Sequence, residues 1–154
     1  MTDEMTDETT DETTSKAGTR SLTSVSVGDA LPPLEIPLSR TLIVSTAIAS
    51  RDYQDVHHDP DLAKERGSPD IFMNILTTNG FVGRFVTDWT GPGAHLKKVD
   101  IRLGAPNYPG DKMIIEGAVT AKDEDAGTIE VSLRGHNQIG DHVTGKVVVE
   151  LPAD

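Results

Sequence analysis

A chain of 154 residues without cysteine, with 25 acidic against 14 basic side chains and a formal net charge of −11, has room for one domain around a single core. The missing cysteines exclude disulfides, zinc-thiolate and iron-sulfur sites and any thiol nucleophile, and the acidity argues against nucleic acid, whose phosphates need a clustered basic face. No apolar run approaches the roughly 20 residues of a membrane span, and the acidic start is unlike a basic targeting peptide, so a soluble, cytoplasmic protein with no membrane partner is expected.

Residues 1–20, MTDEMTDETTDETTSKAGTR, repeat Thr-Asp-Glu three times at four-residue intervals, with six acids against two bases and no apolar periodicity. A helix of that period would stack like charges on one face, so a disordered acidic tail is expected here. Residues 21–154 are then the single folded domain. From Leu34 to Val44, LEIPLSRTLIV combines β-branched residues with internal prolines and reads as a first, edge-type strand. A short helix-compatible piece follows, and periodicity is lost at Arg51, which places Asp52 to His58 in a loop. Asp59 and Pro60 read as an N-cap and a first-turn proline, opening a short helix that Gly67 ends.

Residues 70–89, DIFMNILTTNGFVGRFVTDW, carry the strongest helical signal: Phe72, Ile75, Leu76, Val82, Phe85, Val86 and Trp89 recur at threes and fours. Gly80 and Gly83 within it mark places where another element comes close. Beyond Gly93 the pattern turns to alternation, in Val99/Ile101/Leu103, Met113/Ile115, Ile129/Val131/Leu133 and Val143/Val147/Val149/Leu151, with turn signals between the runs. One long helix, one strand before it and four antiparallel strands after it describe an α+β domain whose sheet wraps the helix. The exposed edges and second face of such a sheet call for a dimer.

The chemistry concentrates in RDYQDVHHDPDLAKE, residues 51–65. His57 and Asp59, joined by a distant His136 or His142, would spell a two-histidine, one-carboxylate iron site, but Asp59 is better used as a helix cap and no metal is expected. Asp52 and His57 are five residues apart. On a helix they would face about 140° apart, whereas in a loop both can converge on one small-molecule atom and exchange protons with it. Spacing alone favours the plainer reading, in which Asp52 forms a turn and His57 packs against the helix cap.

The run from Asp52 to Pro60, followed by a short helix, a glycine and then a long helix opening DIFMNILTTNG, resembles the hydratase motif of MaoC-like (R)-specific enoyl-CoA hydratases over residues 35 to 150. That motif reads Gly-Asp-x-Asn-Pro-(Ile/Val)-His; here Arg51 replaces the glycine, Gln54-Asp55 replace Asn-Pro, and Asn74-Ile75 stand in place of His-Gly at the start of the long helix. The resemblance implies a hot-dog fold, with Asp52 and His57 as the catalytic pair and Asn74 and Ile75 as substrate-binding residues at the helix N-terminus. It implies no cofactor, coenzyme A being part of the substrate. Within the family the chain resembles the small subunit of actinobacterial steroid side-chain enoyl-CoA hydratases. That implies an acyl-CoA substrate from cholesterol side-chain degradation and a heteromer with a second hot-dog chain, joined in turn by a thiolase-like aldolase. A hot-dog thioesterase and a non-catalytic hot-dog subunit are the alternatives. His58 is expected to point away from the pair, Phe72, Phe81, Phe85 and Trp89 to serve core or interface, and Lys97-Lys98 to be a solvated face. His95, His136 and His142 receive no role.

Overall fold

The computed structural model describes residues 18–153, so the acidic repeat lies outside the described residues. The last three residues of the expected tail are placed: the Arg20 backbone NH bonds the Thr90 carbonyl at 2.8 Å, and its guanidinium stands 4.5 Å over the Trp89 ring.

Strand β1 (Ala30–Pro37) precedes three helices, α1 (Arg40–Ala49), α2 (Pro60–Glu65) and α3 (Ile75–Thr90), after which come β2 (His95–Leu103), β3 (Lys112–Asp123), β4 (Thr128–His136) and β5 (Asp141–Glu150). All strand pairs are antiparallel, in the order β1-β3-β4-β5-β2. The expected strands after α3 are all present, but β2 crosses over to pair with β5 instead of its sequence neighbour β3. Helix α3 meets β1, β2 and β5; because β1 and β2 are opposite edges, the sheet has to wrap the helix to reach it. Alternating Ile129, Val131 and Leu133 of β4 face inward with Val147 and Val149 of β5, against Val82, Phe85 and Val86 of α3, in one contiguous core.

Two expected boundaries are corrected. The strand read over Leu34 to Val44 ends at Pro37, and Arg40–Ala49 is helical. Ser39 caps it by accepting the Leu42 NH at 3.0 Å, and Ile43 and Ala47, one turn apart, are wholly buried. That packing outweighs the strand preference of the β-branched residues. The long helix begins at Ile75 and not at Asp70 because its lead-in is held extended: Phe72 NH bonds the Val56 carbonyl at 3.1 Å and Met73 NH the Asn107 carbonyl at 3.0 Å. Ile75 and Leu76, read as part of the apolar face, are exposed. Of the two helix glycines, Gly83 has a neighbour, with Leu96 of β2 at 3.4 Å from where a Cβ would stand, while Gly80 meets nothing within 4 Å.

Candidate active site

Helix α1 delivers the chain to the site and stops sharply. Arg51 adopts φ 57°, the left-handed conformation that glycine takes without strain and other residues take at a cost of about 1 kcal/mol. A glycine, which the resembled motif has at this position, would take this conformation without strain. The turn lets Asp52 NH bond back to the Ala47 carbonyl at 2.9 Å. One 3-10 turn, Asp55–His57, then presents the imidazole. Arg66 of the α2 C-terminus bonds the Asp55 carboxylate at 2.7 Å, which fixes this turn and holds the Asp55 carboxyl below its ordinary range.

His57 is 8% exposed. Its Nδ1 lies 2.7 Å from the Phe72 carbonyl oxygen, an acceptor, so Nδ1 carries a proton and donates it; in the neutral ring Nε2 is left with its lone pair. The edge-on Phe72 ring, with centroids 5.0 Å apart, holds the imidazole plane. Nε2 faces Asp52 Oδ2 at 3.5 Å. The same Oδ2 accepts from Asn74 Nδ2 at 3.0 Å, and Asn74 Nδ2 also donates to Ser50 Oγ at 2.9 Å.

Asn74 is the N-cap of α3, its side-chain oxygen accepting the Thr77 NH at 3.0 Å. With the Thr78 NH on the Asn74 carbonyl, the helix's first turn leaves the backbone NH groups of Ile75 and Leu76 beyond the reach of intrahelical acceptors. The helix end that carries them also carries the positive end of the helix dipole.

Asp52 and His57 are thus brought together, and the start of α3 stands beside them. Asn74, expected to touch substrate, is 2% exposed with its carboxamide spent on Ser50, Asp52 and Thr77, so it braces the carboxylate from within the protein. Ile75 is half-exposed at the helix start. His58 is exposed. Lys97 and Lys98 pair with Glu150 and Asp100. Asp59 caps α2, accepting from Asp61 NH and Leu62 NH, while His136 pairs with Glu116 and His142 binds Thr78, so each of these side chains of the iron-site spelling is engaged in a contact of its own. Phe85 and Trp89 line a cavity of about 360 Å³ with Arg20 and Pro32 to Leu34, at the far half of α3 from Asn74. Ser50, the Phe72 carbonyl and Thr78 carried no sequence signal, because each acts through a contact set by the fold.

A sheet wrapped on one long helix, with an aspartate and an imidazole meeting beside the helix's first turn, is the architecture of the hot-dog hydratases and dehydratases. The MaoC like domain model matches residues 24–138, and this chain belongs to the MaoC-like family. It is 50% identical over 125 residues to the 3-oxo-4,17-pregnadiene-20-carboxyl-CoA hydratase beta subunit of Mycobacterium tuberculosis, spanning 81% of this chain and 95% of the relative. The crystal structure of the ChsH1-ChsH2 complex from M. tuberculosis superposes with a TM-score of 0.80 at 50% identity, covering 82% of this chain and 98% of the other. The (R)-hydratase from A. caviae involved in PHA biosynthesis superposes with a TM-score of 0.74 at 27% identity, covering 84% and 98%.

Proposed function

We propose that this chain adds water across the double bond of a 2-enoyl-CoA thioester to give the 3-hydroxyacyl-CoA, with Asp52 and His57 as its catalytic pair. The observation that carries the reading is the pairing of Asp52 Oδ2 and His57 Nε2 at 3.5 Å with Nδ1 already committed to the Phe72 carbonyl. Two acceptors side by side match the two protons of one water. As its oxygen bonds to the β-carbon, Nε2 takes a proton from it, the carbon–carbon π pair moves toward the thioester, and negative charge develops on the thioester oxygen. The pair then returns a proton to the α-carbon, so the bond order changes while every atom of the water is retained.

The enolate oxygen belongs at the first turn of α3, where the Ile75 and Leu76 NH groups and the helix dipole favour negative charge. Asn74, holding both the carboxylate and that turn, sets the distance between the water and the oxyanion position. No step calls for a metal or a resident cofactor; coenzyme A arrives with the substrate.

The 50% relative supports a steroid side-chain enoyl-CoA as substrate, and the matching complex supports a heteromer with a second hot-dog chain; we extend that assembly to a thiolase-like aldolase that would cleave the hydrated product, in the cytoplasm. The catalytic imidazole is nearly buried, while Ile48, Tyr53, Ile75 and Leu76, on the segments that carry the pair and the start of α3, are exposed apolar side chains, which suits a groove completed by another subunit. The test is hydration of a steroid enoyl-CoA and of crotonyl-CoA, followed by loss of enoyl absorbance, for the chain alone and co-expressed with a second hot-dog chain of the kind in the matching complex. Hydration that disappears in Asp52→Ala and His57→Ala supports the reading. Hydration that persists in both makes this a structural subunit, and release of free thiol without hydration makes it a thioesterase.

A further inference from the structure

Beyond the catalytic pair, a second imidazole is buried in the described residues and has no place in the mechanism above. His142, at the start of β5, is 2% exposed. Its Nδ1 lies 2.6 Å from the Ala105 carbonyl oxygen and donates to it, so Nε2 is the acceptor for the Thr78 hydroxyl at 2.9 Å. The Thr78 backbone NH bonds the Asn74 carbonyl oxygen at 3.2 Å, and Asn74 reaches Asp52 through Nδ2. A line of polar contacts therefore runs from β5 and the loop at Ala105, through the first turn of α3, to the carboxylate.

The rest of α3 is held mainly by Val82, Phe85 and Val86, and apolar packing of that kind does not point in a direction. Hydrogen bonds do, and a reacting constellation has to be held to about 0.5 Å to work. Because Thr78 lies on the helix one turn from Asn74, its bond to His142 fixes where the first turn sits along and about the helix axis.

We propose that His142 is a positioning residue of the hydratase site: through Thr78 it locks the first turn of α3, so that Asn74 and the Ile75 and Leu76 NH groups stay in register with Asp52 and His57. This rests on the function proposed above. His142 touches no substrate in this scheme and moves no proton.

Four variants of the full chain, assayed with its partner chain where activity needs one, test it. Thr78→Val keeps the shape and burial of the side chain but removes the hydroxyl, and Thr78→Ser keeps the hydroxyl. His142→Gln can still accept from Thr78, whereas His142→Asn keeps only the bond to Ala105. On crotonyl-CoA, Thr78→Val and His142→Asn are expected to lower kcat by about ten- to a hundredfold, the scale of a small misplacement of reacting groups, with KM within about twofold. Thr78→Ser and His142→Gln recover most of that loss. In the 15N-labelled chain the Asn74 side-chain amide resonances move in Thr78→Val and stay in Thr78→Ser. Wild-type kcat in Thr78→Val, or equal losses in His142→Asn and His142→Gln, overturns the proposal. Should Thr78→Val fail to fold, the two His142 variants decide it. If the wild-type chain hydrates nothing, the function reading falls, and the Asn74 resonances alone decide whether the tie exists.

Discussion

Asn74 Nδ2 and Asp52 Oδ2 stand 3.0 Å apart while the other end of the same carboxamide caps α3 on the Thr77 NH. One buried side chain thus couples the position of the carboxylate to the position of the helix. The two duties can be separated by substitution. Asn74→Asp keeps a good N-cap but sets a second carboxylate against Asp52, and two like charges at that distance cannot both ionise freely. It is expected to melt within a few degrees of wild type and to lose most of its kcat at neutral pH. Asn74→Ala loses the cap, at about 1 kcal/mol, and strands Asp52 and Ser50, so both melting temperature and rate fall. Thermal melts beside initial rates check this; Asn74→Asp with wild-type kcat refutes the bracing role.

For the pair itself, Asp52→Ala and His57→Ala are each expected to lower kcat by about 10²- to 10⁴-fold, the range of general acid–base catalysis. In the mechanism proposed above both act on one water, so the double variant should cost little more than the worse single one. Steady-state kinetics on all three variants decides, and multiplicative losses would mean that the two residues work independently.

His142 also gives the fold a pH dependence. Burial pushes its pKa below the ordinary histidine value, so the unfolded chain binds the proton more readily than the folded one. The stability it contributes is complete above about pH 6.5, the ordinary value, and declines as pH falls through the lower folded-state value, at no more than about 1.4 kcal/mol per pH unit for one proton. Urea midpoints measured between pH 7.5 and 5 should fall in the wild type and fall less in His142→Gln. The lowered carboxyls of Asp55 and Asp70, held by Arg66 and Arg40, lose their contribution only at more acid pH, so the window belongs to histidine. Parallel curves for the two proteins would refute the assignment.

Two glycines make opposite predictions. A Cβ on Gly145 would strike the Asp100 carbonyl and lie 2.8 Å from Ile101 Cα, so Gly145→Ala should push β2 off β5 and cost at least about 2 kcal/mol. Gly80 meets nothing, and Gly80→Ala in the same fold should gain about 0.5–1 kcal/mol of helix propensity. Chemical denaturation of both checks whether β2 is docked as closely as described.

The sequence made the strands after α3 readable because alternation is a local property, as was the Asp59-Pro60 start of α2. Pairing order is not local, and nothing in residues 95–103 says that their partner is β5. Helix α1 reads as a strand because Thr41, Ile43 and Val44 favour strands individually, and only the burial of Ile43 and Ala47 together reverses that. At the site, Asp52 and His57 stand out by residue type and spacing. The groups that orient them do not: the Phe72 carbonyl belongs to every residue type alike, and Thr78 and His142 are 64 positions apart.

The edges of the sheet are unequal in a way that bears on assembly. Pro32 and Pro33 occupy a bulge in β1, and Pro37 ends it, so three positions of that edge strand have no NH to offer. Strand β2, at the opposite margin, runs nine residues without a proline. A sheet that can be lengthened on one side only stops growing after a single addition. The prolines obstruct such addition along β1, which weighs against fibrous growth from both margins at once.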